Sequence, residues 1–190
     1  MRHAWIVVVL AGLAGLGAGA GYRYWSGTAA ADGEPADAGE VAATDPSAQV
    51  VGERRPAFEL ALAGGGRRSI AAYDGRVVLL NFWATWCPPC VEEMPALDAL
   101  QDRLGGQGLQ VVGVAIDPAE AVRAFAAEHG IDYPLLAGTR DAFGIARAYG
   151  NARGTLPYTV VIDRDGIVRA THLGPLTQSE AAALVQPYLE

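Results

Sequence analysis

The sequence of 190 residues contains no lysine, and all 14 of its basic residues are arginine. This absence excludes enzymes that form a Schiff base through lysine and nucleotide-binding loops that hold phosphate with lysine. Cysteine is also scarce, since two residues are too few to staple a small disulfide-rich protein. Charged residues make up only 18% of the chain and hydrophobic residues 51%, which excludes a disordered chain. The net charge of −7 argues against a nucleic-acid partner, which would require a basic surface.

The first 25 residues combine a basic start with a long apolar run. Residues 4–21 carry no charge. As a helix they would be about 27 Å long, close to the thickness of a bilayer's hydrocarbon core. Aromatic residues, which favour the headgroup layer, follow at Tyr22, Tyr24 and Trp25. For residues 1–25 we therefore predict a single-pass anchor in the inner membrane, with the following domain in the periplasm. The alternative is a signal peptide cleaved near the small residues 18–20, which would leave a soluble periplasmic protein.

The rest of the chain divides into a tether and one domain. Residues 26–49 contain five acidic residues, no basic residue and no apolar periodicity. This composition predicts an extended, flexible acidic tether. Residues 50–190 carry 12 arginines against 16 acidic residues and are numerous enough to bury a core. They form the single predicted domain.

Apolar runs and helical patterns alternate within this domain. Runs without interruption indicate strands buried on both faces, and leucines at helical spacing indicate a helix that Pro95 should kink. Strands are predicted at 77–83, 109–116 and 131–136, and hairpins at 58–71 and 158–172. Helices are predicted at 89–104, 118–129, 141–149 and 177–189, the last capped by Thr177. We therefore predict an α/β fold, in which helices cover a mixed central sheet.

Both cysteines lie in one motif, Cys87-Pro88-Pro89-Cys90. At the start of a helix this spacing brings two sulfurs within bonding distance. The helix dipole and unpaired backbone N–H groups should lower the pKa of Cys87 and make it the nucleophile, with Cys90 as the resolving thiol. The same spacing supplies half of a zinc site, but two further ligands would have to come from a chain with three histidines. We predict no metal at this site. A static structural disulfide is the other alternative, although so short a loop gains little stability from it.

Residues 79–95, LLNFWATWCPPCVEEMP, resemble the active-site strand and helix of the thioredoxin superfamily. More narrowly, they are similar to the TlpA/ResA-like membrane-tethered thioredoxins, which include the cytochrome c maturation reductases of the CcmG (DsbE) type. The resemblance covers nearly all of residues 50–190. It implies a thioredoxin-like fold with an N-terminal hairpin and a TlpA-type extension, which consists of the strand at residues 113–117 and its helix.

The resemblance also implies roles for individual residues. Pro157 matches the family's cis-proline beside the cysteines, which leaves the Leu156 backbone free to pair with an extended substrate. Trp86 would shape the docking surface. Asn81 replaces the buried aspartate of cytoplasmic thioredoxins and cannot titrate, whereas Glu93 matches an active-site glutamate of ResA-like proteins and is a candidate proton acceptor. The alternative is that Glu93 is a solvated helix residue without a functional role, like Glu92.

The implied function is an extracytoplasmic thiol–disulfide oxidoreductase that reduces disulfides in client proteins, for example during cytochrome c or oxidase maturation. CcmG-type proteins tend to carry a glutamate after the cis-proline, where this chain has Tyr158, so clients other than cytochrome c are expected as well. No cofactor is predicted besides the redox-active disulfide, and a membrane protein of the DsbD/CcdA type would re-reduce it. One alternative is a disulfide-donating oxidase. Another is a copper-handling protein for oxidase assembly, with Met94 as the available soft ligand. A peroxidase of the peroxiredoxin kind would need Pro and Thr where this chain has Leu80 and Ala84.

Overall fold

A computed structural model describes residues 48–190 of the chain. The predicted anchor and nearly all of the predicted tether lie outside these described residues. Within residues 48–190, none of the helices has the length and apolar character needed to cross a membrane.

One seven-stranded sheet forms the centre of the domain, with strand order β2-β1-β5-β4-β3-β6-β7. Strands β3, β4 and β5 run parallel to their neighbours in this group, and the other pairs are antiparallel. The strands are β1 Glu59–Leu62, β2 Arg67–Ser69, β3 Val77–Trp83, β4 Leu109–Ile116, β5 Leu135–Gly138, β6 Tyr158–Ile162 and β7 Val168–Leu173.

Helices cover both faces of this sheet. They are α1 Pro88–Leu104, α2 Ala119–His129, α3 Arg140–Ala148 and α4 Gln178–Val185. Short 3-10 turns lie at Ala48–Val50, Ile70–Tyr73, Gly105–Gln107 and Gln186–Tyr188. Buried side chains of α1, α2 and α4 form one core cluster, and those of α3 belong to a second. This arrangement confirms the predicted α/β class.

Strand β3 divides its side chains between the two cores. Leu79 and Trp83 belong to the cluster under α1, whereas Leu80 and Phe82 belong to the cluster under α3. Successive residues of a strand point to opposite faces, so burial on both faces requires an uninterrupted apolar sequence. Asn81 shares the α1 face with Leu79 and Trp83, which places a polar group directly beneath the helix that carries the cysteines.

Several element boundaries differ from the predicted ones. The second strand of the first hairpin ends at Ser69, where the chain enters a 3-10 turn capped by the Ser69 hydroxyl. Strand β5 begins at Leu135 rather than at 131, because the ladder with β4 starts only there. The last α-helix ends at Val185, and Pro187, which has no N–H to donate, falls in the 3-10 turn that follows. The predicted cap at Thr177 is confirmed as a full capping box with Glu180.

Candidate active site

The two cysteines lie where β3 gives way to α1. Their sulfurs are bonded at 2.04 Å, and their Cα atoms are 5.3 Å apart. Cys87 is the N-cap residue of α1, and Cys90 lies within the first turn. Cys87 is 6% exposed and Cys90 is completely buried, so Cys87 is the cysteine closer to solvent.

The start of α1 offers fewer hydrogen-bond donors to Cys87 than a helix start usually does. An N-cap side chain accepts from the N–H of the second or third helical residue. The second residue is Pro89, which has no N–H, and the N–H of Cys90 donates to the carbonyl of Cys87 at 3.0 Å. The expectation of unpaired backbone N–H groups is therefore wrong for these positions, and the helix dipole remains as the stabilising influence on a Cys87 thiolate.

Glu93 lies one turn after Cys90 and faces inward, with only 3% of its surface exposed. One carboxylate oxygen accepts from Asn81 Nδ2 at 2.8 Å, and the other accepts from the backbone N–H of Leu176 at 2.8 Å. Burial raises the pKa of Glu93 to about 7, although both hydrogen bonds work in the opposite direction. Glu93 is thus not a solvated residue like its exposed neighbour Glu92. A carboxyl group with this pKa can exchange a proton near neutral pH.

Asn81 connects the carboxylate to the centre of the sheet. Its Nδ2 also donates to the hydroxyl of Thr159 at 3.1 Å, and the two residues lie opposite each other in the β3–β6 ladder. Both side chains are buried and neutral. Glu93 is therefore held by groups that do not titrate, and among Asn81, Thr159 and Glu93 it alone can take up or release a proton.

The candidate substrate-binding residues are Trp86, next to Cys87 in the chain, and the Leu156–Pro157 segment. The Leu156–Pro157 peptide bond is cis. Leu156 is half-buried and packs against the core cluster that contains both cysteines. Trp86 is 65% exposed immediately before Cys87, whereas Trp83 is fully buried. An exposed aromatic ring next to a reactive cysteine is suited to contact another protein.

Asp117 belongs to the site, although it is not among the residues predicted from the sequence. It directly follows β4, and its carboxylate accepts the backbone N–H of Thr85 at 2.7 Å. This bond fixes the loop that leads from β3 to Trp86 and Cys87. Strands β3 and β4 are parallel, so their carboxyl ends lie at the same edge of the sheet, and that rule was the available signal.

The metal-binding and peroxidase alternatives depend on residues whose positions the structure gives. Within residues 48–190, no three His, Cys, Asp or Glu side chains gather in a way that could hold a metal ion. Met94, the soft ligand considered for copper, is fully buried in the core under α1. Leu80 and Ala84, at the positions that the peroxidase motif assigns to Pro and Thr, are also fully buried.

Comparison with known proteins places this geometry among thioredoxin-like proteins. Residues 51–171 match the AhpC/TSA family. The thioredoxin-like protein YneN of Bacillus subtilis (strain 168) is 38% identical over 133 residues, which cover 68% of this chain and 75% of that protein. The thiol-disulfide oxidoreductase ResA of Geobacillus thermodenitrificans (strain NG80-2) is 34% identical over 138 residues, covering 72% and 77% of the two chains.

A solved structure gives the same result for the fold. The crystal structure of a thiol:disulfide interchange protein of the thioredoxin family from Chlorobium tepidum TLS has a TM-score of 0.65 and 28% sequence identity to this chain. The match covers 72% of this chain and 96% of that one. The predicted thioredoxin-like fold is therefore confirmed.

Proposed function

Because this chain belongs to the AhpC/TSA family and is a thiol–disulfide oxidoreductase related to ResA, we propose that it reduces disulfides in client proteins outside the cytoplasm. The observation that carries the proposal is the asymmetry of the cysteine pair. Cys87 lies at the helix start beside the exposed Trp86, whereas Cys90 is fully buried one turn inside.

The reaction uses both cysteines in turn. The reduced Cys87 thiolate attacks one sulfur of a client disulfide, which forms a mixed disulfide and releases the other client sulfur as a thiolate. The thiolate of Cys90 then attacks Cys87, which forms the Cys87–Cys90 disulfide and releases the second client thiol. Two electrons pass from the enzyme to the client. Glu93 accepts the proton that Cys90 loses, because it lies one turn along the same helix and its pKa of about 7 suits this exchange.

The residues around Cys87 form the surface of this protein on which a client would dock. Trp86 offers an exposed aromatic ring, and Leu156 precedes Pro157 at the start of β6. An extended client segment would pair with the backbone of Leu156, which positions its disulfide beside Cys87. This arrangement requires no cofactor beyond the dithiol.

The location and the electron donor are part of the same proposal. The basic, apolar and aromatic pattern of residues 1–25 supports a membrane anchor or an export signal. Outside the cytoplasm the oxidised enzyme would be reduced by a membrane protein of the DsbD/CcdA type. Clients would include proteins of cytochrome c or oxidase maturation.

The redox equilibrium with glutathione tests the direction of the reaction. A reductase requires that the Cys87–Cys90 pair be more reducing than glutathione, so the reduced enzyme should convert glutathione disulfide almost completely to glutathione. A reduced pair that persists in the presence of glutathione disulfide would instead identify a disulfide-donating oxidase. Catalytic reduction of insulin by the wild type, and its loss in Cys87→Ser, completes the test.

A further inference from the structure

Residues 150–156 join α3 to β6 and lead directly into the cis bond at Pro157. We call them the docking loop, because the proposed client pairs with the backbone of Leu156 at its end. Asn151 is the one residue of this loop with a buried polar side chain, and it is only 4% exposed. A buried amide is normally retained for the hydrogen bonds that it makes, so the partners of Asn151 indicate its role.

Both polar atoms of the Asn151 side chain bind the backbone of Thr155. Asn151 Nδ2 donates to the carbonyl of Thr155 at 2.8 Å, and Asn151 Oδ1 accepts the N–H of Thr155 at 3.1 Å. The two bonds hold the peptide groups on either side of Thr155. One side chain thus fixes the backbone immediately before Leu156.

The bond to the Thr155 carbonyl also orients the N–H of Leu156. These two groups belong to the same peptide unit, which is planar. The Leu156–Pro157 bond is the only cis peptide bond of residues 48–190, so the Thr155–Leu156 bond is trans. In a trans peptide the C=O and the N–H point in opposite directions. Because Asn151 binds the carbonyl, the N–H of Leu156 points away from Asn151.

Leu156 lies between backbone groups that already have partners. On one side Thr155 is bound to Asn151, and on the other the carbonyl of Pro157 accepts the N–H of Gly174 at 2.9 Å. Within residues 48–190, neither the N–H nor the C=O of Leu156 has a hydrogen-bond partner. These are the two groups that a residue exchanges with its partner in a hydrogen-bonded antiparallel pair.

Other contacts pack the docking loop against α3 without binding the peptide group before Leu156. Gly154 has a φ of +68°, and a Cβ atom there would lie 2.3 Å from a ring carbon of Phe143 on α3. The hydroxyl of Tyr158 donates to the carbonyl of Tyr149 at 2.9 Å. These contacts fix the position of the loop, whereas the direction of its last N–H depends on Asn151.

We propose that Asn151 is a positioning residue for client binding, which holds both backbone groups of Thr155 so that Leu156 presents its N–H and C=O to an extended client segment. The role of Asn151 rests on the proposed function, in which the client pairs with Leu156. Asn151 contacts neither the client nor a sulfur atom. A backbone that is already ordered loses less conformational entropy when the client binds. The affinity for a protein client should therefore depend on Asn151, and the reactivity of Cys87 should not.

Reduction of two different disulfides by the full-length protein separates these properties. Insulin is a protein client, whereas 5,5′-dithiobis(2-nitrobenzoate) is a small disulfide without a backbone to pair. Asn151→Ala removes both bonds to Thr155 and should raise KM for insulin about fivefold, which corresponds to the loss of roughly one hydrogen bond. Its rate with the small disulfide should stay within about twofold of the wild-type rate. A general loss of structure would instead slow both reactions.

Gln110→Ala is the matched control. Gln110 is also a buried amide, and its Nε2 donates to the carbonyl of Val111 at 3.0 Å. It lies opposite Val78 near the start of β3, at the end of the strand remote from the cysteines. This variant should change neither KM for insulin nor the rate with the small disulfide. An unchanged KM in Asn151→Ala, an equal rise in Gln110→Ala, or an equal loss of rate with the small disulfide would overturn the role of Asn151.

Backbone amide exchange tests the same role in a protein that retains Asn151. It is measured on full-length Cys90→Ser before and after its mixed disulfide with insulin has formed. The N–H of Thr155 should exchange slowly in both forms, and the N–H of Leu156 should exchange at least about tenfold more slowly after trapping. Rapid exchange of Thr155 before trapping, or no protection of Leu156 after it, would overturn the proposal. A wild type that does not reduce insulin would contradict the proposed function instead.

Discussion

Replacing Glu93 with glutamine should change how the stability of the oxidised protein depends on pH. The pKa of Glu93 is about 7 in the folded protein against an ordinary value of 4.5, because the carboxyl group is buried. Between these values the folded state holds a proton that the unfolded state has lost, so the free energy of unfolding falls as pH rises. The shift corresponds to about 3 kcal/mol between pH 4.5 and pH 7.

Urea unfolding of the wild type and of Glu93→Gln at a series of pH values measures this effect. Glutamine does not titrate, so the difference in unfolding free energy between wild type and variant should decrease by about 3 kcal/mol across the window. Other titrating groups are common to both proteins and cancel. Glu92→Gln, at an exposed position on the same helix, is the control and should give a constant difference. A difference between wild type and Glu93→Gln that is independent of pH, or that increases with pH, would refute the assignment of a raised pKa.

Three further substitutions test individual parts of the site. Pro89→Ala supplies an N–H at the second helical position and should lower the pKa of the Cys87 thiol by about one unit, measured by the pH dependence of alkylation. Pro88→Ala is its control and should have a smaller effect, and equal effects would contradict the capping argument. Asp117→Ala removes the acceptor of a loop N–H and should cost about 1–3 kcal/mol in urea unfolding. Asp117→Asn should recover most of this loss, and equal losses in both variants would argue against the hydrogen bond. Trp86→Ala should raise KM for insulin reduction without changing Cys87 alkylation, and an unchanged KM would exclude Trp86 from docking.

The central strands and the cysteine helix could be predicted because their signals are local. Strands β3 and β4 match the predicted ranges at both ends, since burial on both faces demands continuous apolar sequence. The predicted range of strand β5 begins too early, because Ile131 and Tyr133 are buried and extend the apolar run although they lie outside the ladder with β4. An apolar run therefore does not by itself locate the start of β5, which is set by the pairing of β5 with β4.

The site likewise combines residues with local sequence signals and residues brought in by distant contacts. The spacing of Cys87 and Cys90 and the position of Glu93 can be recognised in one short segment. The partners of Glu93 come from elsewhere, since Leu176 lies 83 positions further along the chain. Asp117 likewise reaches the site through the order of the strands in the sheet. Contacts of this kind depend on tertiary packing, which residue spacing does not encode.

Trapping of the mixed disulfide tests the central claim most directly, namely that Cys87 attacks the client and Cys90 resolves. Reduced Cys90→Ser and Cys87→Ser are each incubated with insulin, and covalent adducts are identified by mass spectrometry without reductant. We expect Cys90→Ser to accumulate an adduct through Cys87 that a thiol reductant releases, and Cys87→Ser to form none. An adduct through Cys90 in Cys87→Ser, with none in Cys90→Ser, would contradict the assigned roles.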